Sequence, residues 1–588
     1  MINKIKRLDE EDITFFLTRL LIFIIAWIFF VVVDPLGFDS ATRTSSSNFL
    51  QTIFQPFYGL NANPAQQKIA VVAITDSTLK NINHQQVSAA ANLHESYHTH
   101  ALWPLPYSDI VGILDSIIQA KPRAIFVDIR FTGNRRRDSL NQFDSFLIYA
   151  KNNGIPVLFA NGLRRDGYGP LPPPLTHRSA TAEWNAGSNL YALQVADCSV
   201  GTTCDQGVGR QHMIVRDSAA FTMYRLVCKH GFQPYCSHAV NPSRFTADMA
   251  LRWGTLLSPQ QRLIAGPRAI TDCQTFGPQP WSRFLQSLEN AGRSLTHLIP
   301  RQRCPYELTI DAAQLNQATW GTRNHPSVNI DSLLHGRVVF LGADLRAEHD
   351  VVRVPGVGLL AGVQEQAMAF DNLLSFGNQY FHKPGDMFHA NMVSISDSVV
   401  TEAIIWLVLS IDYLFVKMNL MQDEKKAKWA ERPSYMQKIM KKHNEYRQSK
   451  ILRAGIPSLM ALFMTLIFID DVYGRNLTES KNSASTILEY FIVYVLIYII
   501  FIVSFYQQSA FAKNFVLRPL MLLPVIIPVL FINEFYLHWQ NNDWIALVLL
   551  WALLPDIAES ILQNRESEND KASERETESE AEAEKQVS

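Results

Sequence analysis

Four polar side chains in this 588-residue chain stand at the ends of short apolar, β-rich runs, where they could hold a ligand. Asp76 follows IAVVAIT, Asp128 closes AIFVD, Asn161 closes VLFAN and Asp344 closes VVFLGAD. Arg130 and Asp350 lie a few residues further on. If the runs are parallel strands, their carboxyl ends share one rim, and open α/β sheets take ligands in the crevice outside that rim. Carboxylates in such a crevice suit a cation, a hydrogen-bonding small molecule or a divalent ion held through oxygen. The competing reading is local: each Asp caps the following helix or ties down a turn.

Hydrolysis needs more than carboxylates. His349 could act as a base beside them, but isolated histidines are more often polar loop residues. No G-x-S-x-G elbow and no H-E-x-x-H pair is present, and neither is a phosphate loop, a kinase HRD…DFG set or a histidine-kinase ATP region. The expectation is a non-enzyme with no catalytic residues, no cofactor and no metal centre. Arg135, Arg136 and Arg137 read as a solvated loop rather than an anion site. A net charge of -1 lacks the basic footprint of a nucleic-acid binder.

The elements that would position the rim follow from periodicity. The stretch WPLPYSDIVGILDSIIQAKPRAIFVDIRF, residues 103–131, reads as a Pro-rich lead-in, an amphipathic helix, a Lys-Pro break and a buried strand. Ile110, Ile113, Leu114, Ile117 and Ile118 recur at helical spacing. With the strand at 69–74 this makes a strand–helix–strand crossover, the unit of a parallel sheet covered on both faces. A helix over 140–152, a strand ending at Asn161, a strand in GRVVFLGAD and a helix over 363–374 continue the rhythm.

Residues 163–326 break it, being rich in Gly, Pro, Cys and Arg, and are expected to form an irregular insertion. All six cysteines lie there: Cys198, Cys204, Cys228, Cys236, Cys273 and Cys304. Their confinement suggests disulfides in an oxidising compartment, with buried reduced thiols as the alternative. Three successive short-range bridges are one arrangement, which spacing alone does not fix. The absence of a C-x-x-C pair argues against zinc.

The flanks have a different composition. Residues 1–12, which include Lys4, Lys6 and Arg7, read as a short cytoplasmic N-terminus, and 13–33 are apolar enough to cross a bilayer as an uncleaved anchor. A large domain, 34–396, would then lie outside. Five further apolar segments fall within 397–562, around a loop at 421–453 that holds ten Lys or Arg against four Asp or Glu. By the positive-inside rule that loop is cytoplasmic, which implies six spans with both termini inside. Asp412 and Asp556 are the acids deepest in these segments, too sparse for an ion path. Residues 563–588 read as a disordered acidic tail.

Three separated blocks resemble the type-two CHASE family, extracellular sensing domains associated with cyclases and histidine kinases. They are VVAITDSTL at 71–79, the 103–131 stretch, and HGRVVFLGADLRAEHDVVRVP at 335–355 followed by GVQEQAMAFDNLLS at 362–375. Gln366 stands where the family usually has a histidine, and Thr75 replaces an acidic-rich start. The resemblance implies one span before the sensor and several after it, in a multi-pass protein of a bacterial inner membrane with its large domain in the periplasm. The fold expected is an α/β extracytoplasmic domain with a mainly parallel sheet and a Cys-containing irregular insertion, plus an α-helical transmembrane bundle. The functional expectation is a sensor of a small ligand or envelope state, signalling to a protein partner in the membrane, envelope or cytoplasm, with a homodimer compatible. The alternative is a structural or assembly subunit of an envelope complex.

Overall fold

The computed structural model describes residues 47–59, 65–82, 103–135, 138–163, 170–182, 190–198, 213–229, 231–232, 234–236, 240–264, 280–295, 305–315, 330–345, 350–355 and 357–382. In chain order the strands are β1 (Ile69–Thr75), β2 (Ala124–Asp128), β3 (Val157–Asn161), β4 (Ser179–Thr181), β5 (Leu190–Tyr191), β6 (Gln194–Cys198), β7 (Met213–Asp217), β8 (Met249–Ala250), β9 (Leu308–Asp311), β10 (Val338–Asp344), β11 (Val351–Val354) and β12 (Gly358–Ala361). The helices used below are α1 (Tyr107–Gln119), α2 (Gln142–Asn152), α3 (Ala219–Lys229), α4 (Pro280–Leu295), α5 (Ile330–Leu334) and α6 (Gly362–Phe376).

Six strands form one sheet in the order β4-β3-β2-β10-β1-β9. Every neighbouring pair in it is parallel. Strands covered on both faces should be apolar without alternation, and in β1 every residue from Ile69 to Ile74 is buried. Its side chains divide between the two faces. Ile69 and Val71 join one core with Val338, Phe340 and α6, while Ala70, Val72 and Ile74 join the other with α1 and α2.

The strand and helix pattern expected from sequence is present. The 163–326 stretch differs from expectation: it supplies β4 and β9, the strands at both edges of the main sheet, as well as α3, which packs on α6. Short apolar runs such as LTID carry little periodicity, so their pairing is decided by the sheet they join. Cys228 and Cys236 form a disulfide. Cys204, Cys273, Cys304 and the side chain of Cys198 lie outside the described residues, as do the segments expected to be spans, the basic loop and the acidic tail. Among the described residues no helix is long and apolar enough to cross a membrane.

The helix α6 is the pivot of the domain. Every residue from Gly362 to Leu374 is buried. It lies on β10 and β1 on one side and against α3 on another, so its polar residues have no solvent face to occupy. Gly377, at φ 58°, ends it in a conformation that costs glycine little.

Candidate functional site

After β2 the chain crosses to α2 on one face of the sheet, whereas after β10 it reaches α6 on the other. Such a divergence opens a crevice at the carboxyl ends of the diverging strands. Asp128 stands there, at the end of β2 and in register with Gly342 of β10.

Asp350 reaches the same place from the segment after β10. Its carboxylate lies against Gly362, where an added Cβ would stand 2.4 Å from Oδ1. The Gly362 amide donates to the Asp350 carbonyl at 3.1 Å. A carboxylate at the first residue of a helix is favoured by the helix dipole.

Glu365, one turn into α6, completes the group and is only 2% exposed. Burial first, then the charges of Asp128 and Asp350, hold its carboxyl well above the usual range. Burial, with Asp350 second, pushes Asp128 up to about 8. Raised carboxyls at Asp128 and Glu365 are what desolvation and like-charge repulsion dictate.

The flanking glutamines fix how α6 presents Glu365. Gln364 donates to Thr309 Oγ1 of β9 at 3.0 Å. Gln366, on the other side, accepts from the hydroxyl of the buried Tyr191, which itself accepts from the Ala220 amide at 3.1 Å. Burial keeps Tyr191 protonated, and Glu365 and Asp128 add to that effect. Asn161 Oδ1, at the end of neighbouring β3, is buried without a hydrogen-bond donor among the described residues.

The structure therefore joins Asp128 to Asp350 and adds Glu365. Asp344 ends β10 in register with Thr75, and Asp76 opens the helical stretch 76–82 at the exit of β1. Arg130 is exposed. The β1 exit is organised by a residue outside the sequence expectation, Asp311, which ends β9. It accepts from Thr75 Oγ1 at 2.7 Å, Thr78 Oγ1 at 2.6 Å, the Ser77 hydroxyl and the Ala313 amide at 2.9 Å. That set is a cap and brace, with its acceptors already used.

Arg135 is also structural. Its guanidinium lies 4.4 Å from the Tyr107 ring centroid and donates to the Leu105 carbonyl at 3.0 Å. His349, Arg136 and Arg137 lie outside the described residues. Among those described, no group of three or more His, Cys, Asp or Glu has the arrangement of a metal site.

Sequence reasoning missed Glu365 because a helix with apolar residues at 363, 367, 368, 370, 373 and 374 looks amphipathic, with Glu365 on the wet side. The usable signal was the scarcity of charge: Glu365 and Asp371 are the sole charged residues between 362 and 376.

A model of the family described as the CHASE2 domain matches residues 19–411. No curated protein and no solved structure matches the chain.

Proposed function

The chain belongs to the CHASE2 domain family, a family of sensory domains, and from that premise we propose that it is an integral membrane sensor. Its external domain takes a small cationic or hydrogen-bonding ligand at the crevice between β2 and β10, and a separate protein receives the signal. The observation that carries this reading is the convergence of Asp128, Asp350 and Glu365 on the first turn of α6. A cation entering there meets three carboxyl groups, two of them raised by burial, whose protons pass to solvent as it binds. Binding is therefore linked to proton release and weakens as pH falls.

The rest of the reading rests on composition. The apolar segment at 13–33 and the five within 397–562 are taken as spans of a bacterial inner membrane, with the large domain in the periplasm. The basic loop at 421–453 is the surface offered to the partner. Ligand-driven change reaches it through α6, because a ligand shifts an equilibrium only through contacts that differ between two states.

Titration calorimetry on the purified full-length protein with calcium, magnesium and putrescine tests the crevice. One of these probes is expected to bind with a heat that depends on the buffer's ionisation enthalpy, and Asp128→Asn is expected to abolish that dependence. Identical heats for both proteins across all three probes would sink the reading.

A second reading, an assembly subunit docking through residues 163–326, is favoured by Val215 of β7, which is 68% exposed beside a 37% exposed Ile214. A stable stoichiometric complex lost on Val215→Asp and indifferent to small cations would decide for it.

A further inference from the structure

At the other, amino ends of the strands, beside the edge strand β9, five separate segments bring their polar groups to one buried place. Tyr58 comes from the segment that leads into the domain, and Glu307 from the residue before β9. Arg337 precedes β10, Asp371 and Ser375 sit near the end of α6, and Tyr235 lies in the turn closed by Cys228 and Cys236. Glu307 is 1% exposed and Asp371 0%.

We propose that this edge is a proton-operated latch, in which a carboxyl–carboxylate pair, Glu307 and Asp371, holds the Tyr58 segment onto the last turns of α6.

The hydrogen bonding requires a proton. Asp371 Oδ1 accepts from the Tyr58 hydroxyl and, at 3.2 Å, from Ser375 Oγ. Both oxygens of Glu307 and the Oδ2 of Asp371 are buried with no hydrogen-bond donor among the described residues, and Asp371 is the acidic neighbour that raises Glu307 most after burial. Two buried carboxylates are acceptors only, so the pair is satisfied when one of them carries a hydrogen to give the other. Arg337 supplies the nearby positive charge but spends its Nη1 donors on the carbonyls of Ile69, at 3.0 Å, and Gln66, at 3.5 Å.

The other groups at this edge do not replace the proton. Tyr58 and Tyr235 are both raised, each by burial first and Asp371 next, so both remain neutral hydroxyls. Tyr306 packs edge-on to Tyr58. Arg252 has its backbone bonded on both sides to Asn372, with its guanidinium over Phe381. From α4, Arg283 donates to the Pro56 carbonyl. The direction is set by burial, then by Asp371, with Arg337 opposing: Glu307 titrates well above the ordinary carboxyl range.

The sign follows. The closed latch binds a proton more tightly than an opened, hydrated one, so closure is strongest in acid and weakens as pH climbs above the ordinary carboxyl range. Loss of the proton leaves two unsolvated charges face to face, and separating Tyr58 from α6 admits water to them. The latch joins the segment entering the domain to the helix leading out of it. It is thus placed to change what the flanking chain experiences without any ligand in the crevice.

Hydrogen–deuterium exchange on the full-length protein, corrected for intrinsic exchange rates, reads the latch at residues 47–58. In the wild type their protection should fall with rising pH by up to about tenfold per unit, the limit for one proton. Glu307→Gln, which supplies a permanent donor, should hold protection constant over the same range. A wild type whose protection is flat with pH, or a Glu307→Gln protein that keeps the wild-type slope, would overturn the proposal. Should Glu307→Gln fail to fold, Tyr58→Phe removes the clasp and leaves the acids. It should give low protection at every pH, and a retained wild-type slope there would equally overturn it.

Discussion

Gly342 of β10 lies directly against Val363 of α6: a Cβ added at residue 342 would stand 2.5 Å from the Val363 Cβ. This missing side chain lets α6 lie close on the sheet at the level where Gly342 pairs with Asp128. The same closeness sets Glu365 among the crevice acids. Gly362, with its carboxylate neighbour Asp350, repeats the device one residue earlier in α6.

Gly342→Ala should therefore destabilise the protein by about 1–3 kcal/mol, the usual effect of overpacking a filled core. Gly112→Ala is the control. Residue 112 lies within α1 with nothing within 4 Å of an added Cβ, and alanine there should stabilise by about 0.5–1 kcal/mol. Thermal unfolding of the two variants, moving in opposite directions from wild type, is the check.

Asp128 gives a pH signature. Its folded-state value, about 8, lies above the ordinary 3.8, so the folded protein holds a proton that the unfolded chain releases. Its contribution to stability is highest below 3.8, declines as pH rises and levels off above about 8. Asp128→Asn removes that slope, and its stability relative to wild type should grow across this interval. Denaturant melts from acid to mildly alkaline pH measure it. A difference that does not vary with pH would mean that Asp128 binds its proton equally in the folded and unfolded chain.

Asp311→Ala leaves three hydroxyls and the Ala313 amide without their acceptor. Stability should drop by about 2–4 kcal/mol, more than one neutral hydrogen bond is worth because the acceptor is charged and shared. Asp311→Asn keeps an acceptor oxygen and should fall between Asp311→Ala and wild type in thermal melts.

The Cys228–Cys236 bridge spans a sequence separation of 8, and a loop that short is worth about 2–3 kcal/mol in the chain-entropy account. The double change to serine should lower stability by that amount. Reductant should then affect the wild type more than the variant, which unfolding with and without dithiothreitol would show.

Much of the scaffold was legible in the sequence because burial leaves local marks. Strands covered on both faces read as unbroken apolar runs: IAVVAIT and AIFVD lie within a residue of where they were expected, and VVFLGAD lies inside the expected GRVVFLGAD. The helical spacing of Ile110, Ile113, Leu114, Ile117 and Ile118 marked the face that α1 buries. The family blocks likewise coincide with the central strands and α6. The CHASE2 match extends that correspondence from 19 to 411.

Other features have no local signature. β4 and β9 are strands because a neighbour offers a parallel edge, a partnership formed across many residues of intervening chain. Asp311, Asp128 and Asp344 are all acids at strand ends, and nothing in their neighbours' identities separates the brace from the crevice. That division depends on which strands are adjacent and on which face the chain leaves.

The sequence alone determined the layered α/β class, the level of the rim and the presence of acids along it, since these follow from periodicity and residue type. Only the tertiary structure decided which acids meet. By burying α6 on every side it placed Glu365 and Asp371 in two separate buried groups of acids, one near each end of the helix. The physical reason is desolvation: a carboxyl's charge is set by what surrounds it, and here those surroundings come from distant parts of the chain.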